Sequence, residues 1–429
     1  MTSEAADAGE RNIGWRVVFA GLGINLALGI LYTWSVISKA VPEDWGWSEA
    51  DKSWPYSIAC LVFCLVMVPA GRMQDKLSPR LTASIGGVLV GLGMILASRT
   101  TSPMGYMLGF GVLAGAGIGF GYASATPPAV KWFPPAKTGM IAGIVVSGFG
   151  LASVYASPLV KLLMKVTSDD PAKAFAMTFM ILGIAFLVVV VVLAQLLKAP
   201  HRVLQFTKDL GPAGEMKKKA ATPAPDANEF TPGEMLRTKP FYLLWFMYAC
   251  GAGAGLMVIA KLAAITENQA MLAERGALMV AMMAVGNGAG RIIAGMASDK
   301  IGRKKTLLIC FVSQAVLVLL LSRATAGSFL ASIPAMVVLS VFLGANYGAN
   351  LSLFPSITKG YYGLKHFGTN YGLMFTAWGL GGFMLALAAG KLYDKFQTFD
   401  FAYYGAAGLL VLAAGARFLV RPPRKEASA

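Results

Sequence analysis

Twelve apolar stretches, each close to twenty residues long, recur along this chain and constrain it more than any other feature. They cover 14–38, 54–74, 81–99, 105–127, 138–163, 174–197, 240–264, 276–298, 305–323, 329–352, 367–390 and 400–420. About twenty apolar residues in a helix cross the hydrocarbon core of a bilayer, and a helix satisfies its own backbone there. The pattern predicts an all-α membrane protein with twelve transmembrane helices, numbered here spans 1 to 12. Composition agrees, with 56% hydrophobic and 14% charged residues, against about 25% charged in a soluble domain. Residues 1–11 are short and polar, so no cleavable leader is expected.

Six spans precede a polar stretch and six follow it. The expected division is an N-terminal six-helix bundle over 1–199, a cytoplasmic linker over 200–239 and a C-terminal bundle over 240–429. The linker is rich in Pro, Ala and charge, which predicts flexibility over much of its length. The net charge is +16, and the Lys and Arg residues concentrate in the linker, in 71–80, in 299–305 and beyond Arg417. That asymmetry predicts positive-inside insertion into a plasma (inner) membrane with both termini cytoplasmic, rather than nucleic-acid binding. A monomer is expected.

Span 8 carries Arg291 inside an otherwise apolar helix. A guanidinium at that depth costs at least ~2.5–3.5 kcal/mol on insertion scales and faces a protein interior or a watery cavity. No Asp or Glu falls deep in the expected spans, so no internal counter-ion is evident. A fixed cation without a fixed anion suits a ligand that brings a carboxylate. Asn287, four residues earlier, shares the helical face and can add a hydrogen bond. The competing reading has Arg291 capping carbonyls of a broken neighbouring helix. Tyr32, Tyr122, Tyr347 and Tyr371 also fall within spans, Tyr32 and Tyr347 the deeper. Each serves equally well as a ligand contact or as packing. Lys261 lies near the outer end of span 7, where it can snorkel; a structural role is expected, with an outer vestibule role as the alternative.

The chain repeats a turn. GRMQDKLSPR at 71–80 follows span 2 and GMASDKIGRKK at 295–305 follows span 8. Asp75 and Lys76 correspond to Asp299 and Lys300, a set able to latch the cytoplasmic side in one state. Aligned on the two Asp residues, Arg291 corresponds to Met67, so the arginine is no part of the repeated scaffold. Glycine is dense in spans 4, 5 and 11, which predicts close and sliding helix contacts. Cys60, Cys64, Cys250 and Cys310 lie in spans without further ligands, so packing is expected rather than a metal site. His201 and His366 fall in cytoplasmic loops. No metal and no cofactor is expected, and no cluster of catalytic side chains lies at membrane depth, which argues against an enzyme.

Twelve spans in two halves with the Gly-x-x-x-Asp-Lys turn in each resemble the major facilitator superfamily. GEMLRTKPFYLLW at 233–245, KWFP at 131–134, NGAGR at 287–291, SDKIGRKKT at 298–306 and LFPS at 353–356 resemble its oxalate:formate antiporter family, related to monocarboxylate transporters. That resemblance implies that Arg291 binds a carboxylate, with Tyr122, Tyr32 and Tyr347 beside it. The chain departs from the oxalate exchanger in having Trp378 where the exchanger has a span-11 lysine, Leu31 in place of a glutamine and Leu351 in place of a tyrosine. It departs from animal monocarboxylate transporters in having Asn287 where they carry an acid. One cation and a more apolar wall imply a small monocarboxylate such as lactate or pyruvate, carried by alternating access together with a proton. In this reading Leu31, Phe149, Phe375 and Trp378 shape the apolar side. Exchange of the oxalate and formate type is the alternative, and a sensor on the same fold is a third.

Overall fold

The computed structural model describes residues 3–130, 132–133, 138–198, 229–363 and 366–423. Eleven of its helices are long and apolar enough to cross a membrane, and Asp400–Ala416 is a shorter apolar helix in the place of span 12. The eleven are Asn12–Lys39, Glu49–Gln74, Pro79–Ala97, Pro103–Ala129, Gly143–Thr167, Pro171–Ala194, Lys239–Gln269, Gly276–Ser298, Arg303–Ser322, Ile333–Tyr362 and Thr369–Phe396. Leu92, Ile184, Val188, Ile309, Val312 and Val411 are exposed apolar side chains on spans 3, 6, 9 and 12, as helices facing lipid require.

Local chemistry sets the helix ends. Proline opens spans 3, 4 and 6, where a missing N–H costs nothing. Span 2 begins at Glu49, ahead of the expected residue 54. Ser48 and Asp51 form a capping box there, with each side chain bonded to the other's backbone N–H. Span 1 tightens into a 3-10 turn over Gly29–Thr33. Gly29 lies against the Phe149 carbonyl and Ala152 of span 5, so only a glycine fits this approach. The tightened turn presents Tyr32 to the interior.

Spans 8 and 10 touch backbone to backbone. A Cβ on Gly286 or Gly290 would run into the carbonyls of Val341 and Ala345, and one on Gly344 or Gly348 into those of Met283 and Asn287. Across the halves, Gly379 and Gly382 of span 11 receive Cys64 and Cys60 of span 2.

The linker is ordered at its C-terminal end, where flexibility was expected. Phe230 and Met235 are buried. Phe230 donates its N–H to the Tyr362 carbonyl at 3.0 Å and accepts from Asn370 Nδ2 at 2.9 Å. A capping box of Thr231 and Glu234 opens the short helix Pro232–Leu236. This segment therefore packs on spans 10 and 11. Residues 199–228 lie outside the described residues, with most of the expected linker.

Candidate functional site

Span 8 turns Arg291 inward. The residue is 8% exposed, whereas Ile292 and Ile293 beside it are 61% and 59% exposed. Arg291 Nε donates to Asn287 Oδ1 at 3.2 Å, and Nη1 donates to the Val146 carbonyl of span 5 at 3.1 Å. The guanidinium thus joins the two halves at the middle of the bundle. Gly150 of span 5 faces it: a Cβ there would lie 3.3 Å from Nη2 and 3.5 Å from Asn287 Cγ. The phenol of Tyr122 lies beside the guanidinium, and those of Tyr32, Tyr347 and Tyr371 are within its electrostatic reach.

A hydroxyl chain crosses the same seam. Trp378 Nε1 donates to Tyr347 Oη at 2.8 Å, and Tyr347 Oη is bonded to Tyr32 Oη at 2.5 Å. Aromatic rings fill the adjoining layer. Phe63 of span 2 contacts Tyr122, Phe149, Phe375 and Trp378, with centroids 5.1–5.8 Å apart. Phe375 stacks on Trp378 at 5.0 Å. Phe149 meets Tyr32 edge-on at 4.8 Å.

Against Tyr32 and Asn287 lies a cavity of about 10 Å³, lined by these two and by Ser153, Ile259, Leu262, Val280, Met283 and Ala284. That is room for roughly one water. Of the residues that the sequence points to, Tyr32 and Asn287 line this cavity and Arg291 is bonded to its Asn287 wall. Tyr122, Phe149, Tyr347, Phe375 and Trp378 form the aromatic and hydroxyl layer next to it. Leu31 is fully buried in the 3-10 turn and does not line the cavity. Ser153, Met283 and Phe63 were not foreseen. Ser153 follows Phe149 by four residues, so its position on that face of span 5 was readable from the sequence. Met283 and Phe63 carried no signal beyond being apolar.

One face of the bundle is clasped by polar bonds between the halves. It is the face opposite the linker, and it holds the ends of spans 1, 5, 7 and 11. Lys261 is 3% exposed and bonded to Glu49 Oε2 at 2.9 Å. The early start of span 2 brings Glu49 there. Asp394 of span 11 accepts the N–H groups of Glu49 and Ala50, each at 2.8 Å, which caps the start of span 2 from the other half. Lys39 donates to Asn268, and Lys161 donates to the Glu274 carbonyl at 3.0 Å. A vestibule of about 230 Å³ opens between Lys39, Lys161, Glu267 and Glu274. The side chains of Asp75, Lys76 and Asp299 lie outside the described residues, and Lys300 is exposed.

Loosening the clasp has a readable effect. Asp394→Asn keeps one acceptor oxygen for these two N–H groups and turns an amide NH2 toward the other, a loss on the order of 1.5 kcal/mol, or about tenfold in the population open at this face. Val36 is buried and lines the vestibule. A Val36→Cys side chain should then react with a water-soluble maleimide about tenfold faster in the Asp394→Asn background. An unchanged rate would mean that Asp394 does not hold this face shut.

Known proteins resemble this chain in sequence and in fold. It is 29% identical over 362 residues to the oxalate:formate antiporter of Oxalobacter formigenes, covering 84% of this chain and 80% of that one. It is 26% identical over 165 residues to human monocarboxylate transporter 11, covering 38% of this chain and 35% of that one. The fold matches the crystal structure of a bacterial homologue of the human lysosomal transporter Spinster with a TM-score of 0.65 at 16% identity, over 95% and 97% of the two chains. The profile of the Major Facilitator Superfamily matches residues 17–273 and 256–429. With twelve apolar helices in two halves around a buried arginine, the chain belongs to the Major Facilitator Superfamily and is an integral membrane transporter.

Proposed function

We propose that this transporter carries a small monocarboxylate of the lactate or pyruvate type by alternating access, with a proton accompanying each anion. One observation supports this reading above the others. Arg291, bonded to the Asn287 wall of the central cavity, is the one cation found there among the described residues, and apart from the Asn287 amide the cavity lining is apolar or hydroxyl-bearing. A single guanidinium matches a single carboxylate in a bidentate pair. A second carboxylate would enter a low-dielectric site without a partner, which is costly. Trp378 occupies the position of the exchanger's lysine and donates to Tyr347, so it supplies a neutral donor instead of a charge. Among the described residues, no carboxylate or imidazole lines the cavity. The proton therefore travels on the substrate carboxylate or on a transient water beside Arg291.

The same reading places the protein in the inner membrane as a monomer, with both termini and the linker cytoplasmic and the clasped face outside. The Asp75, Lys76, Asp299 and Lys300 turns then serve as a cytoplasmic latch opposite the outer clasp. Exchange is the second reading, supported by the 29% identity to an oxalate:formate antiporter.

Uptake of labelled lactate, pyruvate, formate and oxalate into proteoliposomes separates them. Symport predicts that an inward proton gradient drives lactate or pyruvate uptake and that a potassium–valinomycin potential changes it little. A lone anion would instead respond by about 2.3 kcal/mol per 100 mV. Oxalate should compete poorly. Uptake that needs an internal counter-substrate, or strong competition by oxalate, would establish exchange.

A further inference from the structure

Ser153 lies in span 5 one helical turn beyond Gly150, the residue that faces Arg291. Three residues advance a helix by about 4.5 Å and keep nearly the same face. Gly150 and Ser153 thus form two steps along one wall. The first is bare, beside the guanidinium and Asn287. The second carries a hydroxyl into the central cavity.

That hydroxyl is prepared to donate. Ser153 is 1% exposed. Its Oγ accepts from Thr33 Oγ1 at 3.2 Å, and Thr33 is itself fully buried in the tightened turn of span 1. The bond occupies an acceptor position on Ser153 Oγ. Among the described residues its own proton has no acceptor, so the bond to Thr33 leaves the O–H to be donated. A buried donor left unmatched costs stability, and a cavity with Tyr32 and Asn287 on its other sides is where a partner oxygen fits. The remaining wall is Ile259, Leu262, Val280, Met283 and Ala284, which suits a methyl or short alkyl group and nothing charged.

We propose that Ser153, held by Thr33, reads the oxygen on the second carbon of the substrate, so that the site selects short 2-oxo and 2-hydroxy monocarboxylates over plain fatty acids of equal length. This rests on the monocarboxylate reading above. With the carboxylate on Arg291 and Asn287, the substrate's second carbon falls one step along span 5 toward Ser153. A carbonyl or hydroxyl oxygen there accepts the serine proton, while a methylene cannot. The cavity as it stands holds about one water, so it must widen to take the acid, and the third carbon then meets Met283 and Val280.

The test compares three unlabelled acids of one chain length, pyruvate, lactate and propionate, as competitors of labelled substrate uptake in proteoliposomes. The wild type should prefer pyruvate and lactate to propionate. Ser153→Ala should weaken pyruvate and lactate by about tenfold and leave propionate unchanged, which also shows that the variant is folded. Thr33→Val should give a smaller loss with the same selectivity, because it frees the serine hydroxyl to rotate. Equal weakening of all three acids, or no change in any, would overturn the assignment while leaving the monocarboxylate reading standing. Failure of all three acids to compete in the wild type would remove the monocarboxylate reading and this one with it.

Discussion

Replacing Arg291 with alanine should abolish carboxylate uptake, by at least about a hundredfold, while the protein stays folded. Truncating one member of a buried charged pair costs about 2–5 kcal/mol, and here the other member is the substrate. Folding should not suffer in parallel. In the protein the guanidinium is held by the Asn287 side chain and the Val146 carbonyl, with the Tyr122 phenol beside it, all neutral, so its removal relieves a desolvated cation. Arg291→Lys should also transport poorly, losing at least about tenfold, since an ammonium has no planar fork to match a carboxylate. Uptake measured beside a detergent melting curve separates the two effects. Near wild-type uptake in the alanine variant would remove Arg291 from the site.

A second large effect is expected where no ligand is involved. Gly290→Val should fail to accumulate as folded protein, or melt far below the wild type. Its side chain would have to occupy the space of the Ala345 carbonyl on span 10, which is backbone and cannot swing aside. Overpacking a tight core costs about 1–3 kcal/mol and sometimes more, and here two helices must separate. Gly295, one turn further along span 8, has nothing within 4 Å of where a Cβ would sit. Gly295→Ala should therefore leave the melting temperature unchanged or slightly raised. Equal effects from both substitutions would show that the contact between spans 8 and 10 is not what holds span 8 in place.

The spans were legible because their signal is long and strong: twenty apolar residues in a row leave few alternatives. Their ends were less so. Apolar counting put the start of span 2 at residue 54, while the Ser48–Asp51 capping box, itself readable in the sequence, starts the helix at Glu49. That offset hid the partner of Lys261. The shared face of Arg291 and Asn287 followed from spacing, because residues four apart on a helix meet, whereas their mutual bond did not, since Asn287 was expected to donate to a bound oxygen and instead accepts from Arg291. Ser153, Thr33 and Met283 come from spans 5, 1 and 8, and no periodicity within one helix says which of its neighbours faces a given residue. The same holds for Phe63, whose place among four other aromatic side chains depends on how span 2 is rotated against spans 4, 5 and 11.

In the alternating-access reading proposed above, the clasp on the face opposite the linker makes the two strokes of the cycle unlike. Opening that face separates Lys261 from Glu49 and pulls the Asp394 carboxylate off the start of span 2, so every such stroke must rehydrate charges. The Lys161 bonds at its rim are partly exposed, within reach of dissolved ions, and screening acts on this stroke directly. A carrier that opens one door less often binds from that side with an apparent affinity reduced by the fraction of time the door is open. Two solutions of equal composition on either side of the membrane would then be handled unequally, through a conformational bias that leaves the intrinsic contacts of the binding cavity the same from both directions.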